Sequence, residues 1–178
     1  MSIPFTKTPP THSGDQTVYA IEEWLDLYDR FRLSHKKQYP EEMHAAHQWS
    51  VLPSLFRKDK ELGLFVQSHC ADVRAEHKAK GTLIEEPDME RFYAALRVYS
   101  EKYRQNAIHE FYALTMKKDE GPIPFLHRFR QNIDIVKSYI TLSESQLVEM
   151  YARKLTQVDP TVTQQVQLHL QMTKNPLL

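Results

Sequence analysis

Cysteine is nearly absent. Cys70 is the only one in 178 residues, so no internal disulfide can form and no cysteine–histidine zinc knuckle can be built. A lone thiol fits a reducing compartment. Glycine is scarce too: there are four, all isolated, and none opens a phosphate-binding loop ending in Gly-Lys-Ser/Thr. No Asp-Thr-Gly or Asp-Ser-Gly triplet of an aspartic protease is present. Net charge is missing, with 23 Lys+Arg against 23 Asp+Glu. That balance leaves no basic footprint for nucleic acid and no charge to keep copies apart. No stretch approaches the run of about 20 apolar residues that a membrane span needs. The opening MSIPFTKTPPTHSGD has no apolar core of a secretory signal, so the expectation is a soluble intracellular protein.

What is present reads as helix. Few glycines beside many Leu, Glu, Lys and Gln favour helix over sheet. Residues 1–16, with Pro4, Pro9, Pro10 and Gly14, read as an extended arm or a short hairpin. A first helix is expected from about Thr17 to Lys36, capped by Asp15 or Thr17, with Ile21, Trp24, Leu25, Tyr28 and Phe31 on one face. A second opens at Pro40 and ends near Leu52, before Pro53. A third runs from about Asp59 to Lys80 and stops at Gly81, with Leu62, Phe65, Val66, His69, Cys70 and Val73 as its stripe. Gly63 inside that helix points to a close contact. A fourth starts at a Thr82–Glu85 capping box or later at Asp88, with the stripe Met89, Phe92, Leu96, Tyr99 and Tyr103.

The pattern is weakest at Gln105-Asn106, where a domain boundary is placed. A fifth helix is expected over about Ala107–Lys118. A turn at Asp119–Pro122 leads into a sixth that reaches Tyr139, with Leu126, Phe129, Ile133 and Val136 inward. Ser143 and Gln146 form a capping box for the seventh, with Leu142 and Leu147 spaced as a hydrophobic staple. Its stripe is Leu147, Met150, Tyr151, Leu155 and Val158. Asp159-Pro160 starts an eighth, carrying Val162, Val166 and Leu170. The fold class is therefore all-α, in two helical sub-domains: an arm over 1–16, a first sub-domain over 17–105 and a second over 106–178.

Catalytic patterns do not assemble. His44 and His47 lie one turn apart near Glu41, but two histidines without a third convergent ligand are a weak metal signal, and a polar helix face is the plainer reading. His109-Glu110 begins a zincin helix, yet position 113 is Ala113 where the second histidine belongs. His69 and Cys70 are adjacent on a helix and point about 100° apart, so they are not a nucleophile–base pair by themselves. The aromatic stripes at helical spacing read as core in preference to stacking platforms for single strands. His35-Lys36-Lys37 and Lys117-Lys118 sit at helix ends, where they complement the helix dipole. The expectation is a non-enzyme with no cofactor and no metal.

Two stretches resemble the Gag capsid of Ty3/gypsy-type long-terminal-repeat retrotransposons. PPTHSGDQTVYAIEEWLDLYDRF, from Pro9 to Phe31, is similar to the Pro-rich approach, turn and Trp-Leu first helix of that family, and WSVLPSLFRKDKELGLFV to its next two helices. In DEGPIPFLHRFRQNI, Glu120 and Arg128 have the Glu-to-Arg spacing of the retroviral major homology region, and Phe125 and Phe129 fill its aromatic positions. The Gln-Gly pair of that region is absent; Met116-Lys117 stands there, as is usual in the retrotransposon branch. The Ser143 and Asp159-Pro160 helices then follow in the family's order.

The resemblance implies a structural protein that self-assembles into a virus-like particle around retroelement RNA, in the cytoplasm. Its sub-domains would correspond to capsid N-terminal and C-terminal domains, the first making pentamers and hexamers and the second dimerising between rings. Glu120, Phe125, Arg128 and Phe129 would form a hydrogen-bonded network that fixes the second sub-domain. The Ser143 helix would be the dimer helix, with Glu149, Met150 and Arg153 as interface candidates. Partners are other copies of the chain and, by resemblance, Gag-Pol. RNA is reached indirectly through a basic or zinc-knuckle tail that the family carries downstream. Either this is an excised capsid region or the element lacks that tail. The alternatives are a host-domesticated Gag-derived module that binds peptides and a helical metal-dependent enzyme using His44 and His47.

Overall fold

α1, Val18–Lys36, begins where the Thr17 side chain accepts the Ala20 N–H, so Thr17 and not Asp15 is its cap. The structure, a computed structural model, describes residues 5–158, and all regular structure among them is helical. The helix expected from Asp159-Pro160 lies outside the described residues. The chain divides into two compact units, Met1–Tyr103 and Arg104–Leu178. Among the described residues no helix is long and apolar enough to cross a membrane.

In the first unit the expected second helix is broken. Pro40–Met43 forms a 3-10 turn and α2 is only Ala45–Val51, with His44 extended between them. The reason is tertiary. The first N–H groups of α2 are satisfied by a distant loop, Ala45 donating to Glu85 O at 2.8 Å and Ala46 to Leu83 O at 3.0 Å. A helix running through from Pro40 would have to spend those donors internally. The same use of Leu83 and Glu85 removes the Thr82–Glu85 capping box; the Thr82 hydroxyl instead donates to His77 O. Pro53 sits near the start of a second 3-10 turn, Leu52–Phe56.

α3, Lys60–Lys80, is capped at both ends by its own sequence. The Asp59 carboxylate accepts the Leu62 N–H, and Gly81 takes the left-handed conformation at φ 70° after the last turn. Gly63 is there for close approach: a Cβ at that position would lie 3.1 Å from Phe56 O, in the 3-10 turn. The core of the unit gathers Ile21, Trp24 and Tyr28 of α1, Trp49 of α2, Phe56 of the second 3-10 turn, Leu62 and Val66 of α3, and Phe92 and Leu96 of the next helix. Tyr103 closes it by donating to Asp59 Oδ2 at 2.6 Å, which ties the end of this stripe to the start of α3. Phe65 and Tyr99 pack on its edge.

α4 spans Glu90–Ala113 without interruption, so no helix ends at Gln105-Asn106 and none starts at Ala107, while the division between the two units falls close by, between Tyr103 and Arg104. Neither Gln105 nor Asn106 is a helix breaker. The stripe weakens there because α4 serves the first core as far as Tyr103 and the second from Ala107. The helix begins at the later of the two expected starts, with the Asp88 carboxylate accepting the Glu90 N–H. It ends at Ala113, five residues short of Lys118.

The second unit is built from the end of α4 with α5, Pro122–Val136, and α6, Glu144–Thr156. Its core holds Phe111, Phe125, Phe129, Ile133, Val136, Leu147, Tyr151 and Leu155. The capping box of α6 is formed in both directions between Ser143 and Gln146, and Leu142 packs on the cluster that contains Leu147. Two expected stripe residues move: Phe125 replaces Leu126 as the fully buried residue of α5, and Val158 is 44% exposed.

Candidate functional site: the Glu120–Arg128 network and the outer face of α6

Residues 114–121 connect α4 to α5 without regular structure, so their backbone polar groups need partners from elsewhere. Arg128, two turns into α5, supplies one of them directly and anchors Glu120, which supplies another. Its Nε donates to Glu120 Oε1 at 2.9 Å and its Nη2 to Glu120 Oε2, in the two-pronged geometry that a planar guanidinium offers a carboxylate. Nη2 also donates to Thr115 O at 2.7 Å. The Glu120 carboxylate accepts the Lys117 N–H at 3.0 Å. One side chain of the helix thereby closes both ends of the preceding loop. These hydrogen bonds from Arg128 and from the Lys117 amide hold the Glu120 carboxyl well below the usual carboxylate range, at about 2.

The aromatic residues are the floor on which this pair sits. The Arg128 guanidinium lies 5.3 Å from the Phe125 ring centroid. Phe125 stacks on Tyr151 at 5.5 Å and Phe129 meets Tyr151 at 5.4 Å, all three rings buried. The Tyr151 hydroxyl donates to Pro122 O at 2.8 Å, pinning the first turn of α5 to α6. Burial pushes that phenol up to about 12, so it stays a donor at any ordinary pH. Glu120, Phe125, Arg128 and Phe129 are thus in one contiguous arrangement.

Lys154 was not legible as part of it. The residue is only 9% exposed, and its Nζ donates to Tyr112 O at 2.6 Å and Leu114 O at 2.7 Å, caring for carbonyls left open where α4 ends. Burial lowers its pKa. The signal was present: Lys154 is seven residues after Leu147 and three after Tyr151, on the buried stripe of α6.

The outer face of α6 is different in kind. Glu149 and Arg153 are each 69% exposed and pair with one another at 2.7 Å, and Met150 beside them is half-buried against the core of the unit. Glu149 and Arg153 are thus presented to solvent, while Met150 packs on the same cluster that contains Phe125 and Phe129.

Nothing comparable forms around the other candidates. His47 packs edge-on against Phe5 at 4.7 Å, and His44 stands in the extended link before α2. Among the described residues no group of three or more His, Cys, Asp or Glu is placed to hold a metal. Burial pushes the Cys70 thiol up to about 12, far from the reactive thiolate range. No protein-family model matches the sequence, and no curated protein or solved structure matches the chain.

Proposed function

We propose that this chain is a structural, non-enzymatic protein that self-assembles into a shell, as the Gag capsids of Ty3/gypsy-type retrotransposons do. The observation that carries the reading is the Glu120–Arg128 pair. The two residues stand eight apart at the spacing of the major homology region, are joined through two hydrogen bonds, and the guanidinium lies over Phe125, an aromatic residue of the same motif. Unit one then acts as the ring-forming N-terminal domain and unit two as the C-terminal domain that links rings. The partner is another copy of the chain, in pentamers, hexamers and inter-ring dimers. By the same resemblance Gag-Pol is a further partner, and RNA is reached only indirectly, through the kind of tail that the family carries. Assembly takes place in the cytoplasm as virus-like particles. Contacts of this kind are individually weak and gain strength through multivalency.

The exposed Glu149–Arg153 pair gives a direct test of α6 as a self-association surface. Arg153→Glu places two glutamates one turn apart, which costs the helix only about 0.2–0.5 kcal/mol. The variant is therefore expected to stay folded while sedimentation analysis reports a lower assembled fraction. The exchange variant Glu149→Arg/Arg153→Glu restores the pair within the helix but reverses its presentation. It separates the two effects, because it should melt like the parent. Parental assembly by Arg153→Glu would remove α6 from the interface.

A further inference from the structure

The N-terminal arm is not loose packing. Phe5 is buried in a box of three rings, Phe31 at 5.4 Å, His35 at 5.6 Å and His47 at 4.7 Å, all meeting it nearly edge to face. The Thr6 N–H and hydroxyl both donate to the Glu42 carboxylate. The Pro10 carbonyl accepts the Trp24 Nε1–H at 2.9 Å. His12 is fully buried, its ring stacks on Phe56 at 5.7 Å, and its backbone N–H donates to Leu55 O at 2.9 Å. The arm is thus seated on α1, both 3-10 turns and α2 by a few side chains and by hydrogen bonds to its backbone at Thr6, Pro10 and His12.

Three histidines make that seat, and each has a ring nitrogen that is buried without a hydrogen-bond partner among the described residues: His12 Nε2, His35 Nδ1 and His47 Nε2. Their protonation states follow from their neighbours. His12 Nδ1 accepts the Gly14 N–H at 3.2 Å, so that nitrogen carries no proton. Protonating it would break this bond and place a charge against the Phe56 ring. His35 Nε2 faces the Glu42 carboxylate, an acceptor only, so His35 donates there. His47 presents its ring to Phe5, where a cation would be desolvated.

We infer that residues 5–14 form a strap that is seated at neutral pH and released in mild acid, with the neutral rings of His12 and His47 as the latch. The charged groups facing each latch residue oppose one another. Asp59 and Asp15 favour a charged His12 and Lys58 disfavours it; Glu42 favours a charged His47 and His35 disfavours it. Burial is the largest influence on both and lowers both below the ordinary value of 6.5. A released histidine titrates near that ordinary value, so the released form binds more protons. The seated form is fully favoured above pH 6.5 and loses ground as the pH falls below it. The upper bound is about tenfold per histidine for each pH unit. Glu42 does not share this transition. Its carboxyl is lowered despite burial, through hydrogen bonds from Thr6 and His35, and it stays ionised through the range in which the histidines titrate.

Amide hydrogen exchange on the whole chain tests this, after correction for the intrinsic effect of pH. The Thr6 and His12 amides, both hydrogen-bonded in the seat, are expected to lose protection by roughly ten- to a hundredfold between pH 7.5 and 5.5. The Val66 and Cys70 amides of α3 should hold theirs. In His12→Gln/His47→Phe the Thr6 amide should stay protected at both pH values. The proposal is overturned by unchanged protection of Thr6 and His12 in the parent, by parallel loss in α3, or by the same loss at Thr6 in the double variant. The first two outcomes need only the parent protein, so a variant that fails to fold does not rescue the idea.

Discussion

Arg128→Ala is expected to lower the melting temperature of the second unit by roughly 10 °C, the scale on which a unit of this size responds to losing a paired charge. It is also expected to abolish assembly at concentrations where the parent assembles. The substitution removes both hydrogen bonds to Glu120, the hydrogen bond to Thr115 O and the contact with the Phe125 ring. Glu120 keeps the Lys117 amide but loses its cationic partner, and the α4–α5 loop loses its closure. Arg128→Lys should not restore the parent, because an ammonium cannot reproduce the fork that reaches Glu120 and Thr115 together.

Acid offers an independent check of the same network. The folded-state carboxyl of Glu120 lies at about 2, below its ordinary value of 4.5. Its contribution is therefore fully present above pH 4.5 and fades as the pH falls toward 2. The difference in melting temperature between the parent and Glu120→Gln should narrow over that window. Calorimetry showing an Arg128→Ala transition within a degree or two of the parent, with particles still forming, would leave the pair as a surface ornament.

Trp24→Ala should be the most costly single change in the first unit, at about 3–5 kcal/mol. Trp24 is 2% exposed, stacks on Tyr28 at 4.8 Å and touches Phe56 at 4.4 Å, and its indole N–H is the donor to Pro10 O. The loss has two parts: a cavity at the centre of a close-packed aromatic cluster, and a partly buried carbonyl left without its donor. Trp24→Phe keeps most of the ring contact and removes the donor, so it should cost distinctly less. Urea unfolding followed by circular dichroism reads both as shifts in midpoint at constant slope. A Trp24→Ala cost below about 1 kcal/mol would mean that the aromatic cluster does not hold the unit together.

The features legible in the sequence are those whose cause is local. Thr17, Gly81 and the Ser143–Gln146 box cap helices through atoms within a few residues, and each does so in the structure. The aromatic stripes were legible because helical periodicity is a property of the segment itself. Features set by distant partners were not. The break at His44 depends on carbonyls of Leu83 and Glu85 some forty residues away. The continuity of α4 through Gln105-Asn106 depends on one helix serving two cores in turn, which resembles a boundary in a hydrophobic pattern. The end of α4 at Ala113 depends on Lys154, a lysine of another helix. The seat of Phe5 and His12 was hidden for the same reason: a proline-rich segment has no period, so burial of an extended arm leaves no pattern to read.

At the candidate site the sequence carried the Glu120–Arg128 spacing, and the structure supplies what spacing could not. The loop carbonyl of Thr115, the Tyr151 hydroxyl on Pro122 O and the Lys154 cap together make the network part of the packing of the unit. The two carboxylate and guanidinium groups alone would be a modest pair.

The central claim is self-assembly, and negative-stain electron microscopy of the purified protein tests it most directly. Images taken across a series of protein concentrations, from low to high salt, should contain closed spheres, tubes or sheets of regular subunits. Uniformly small, monodisperse particles under every condition would contradict the account, and would favour a monomeric or dimeric module that binds a peptide.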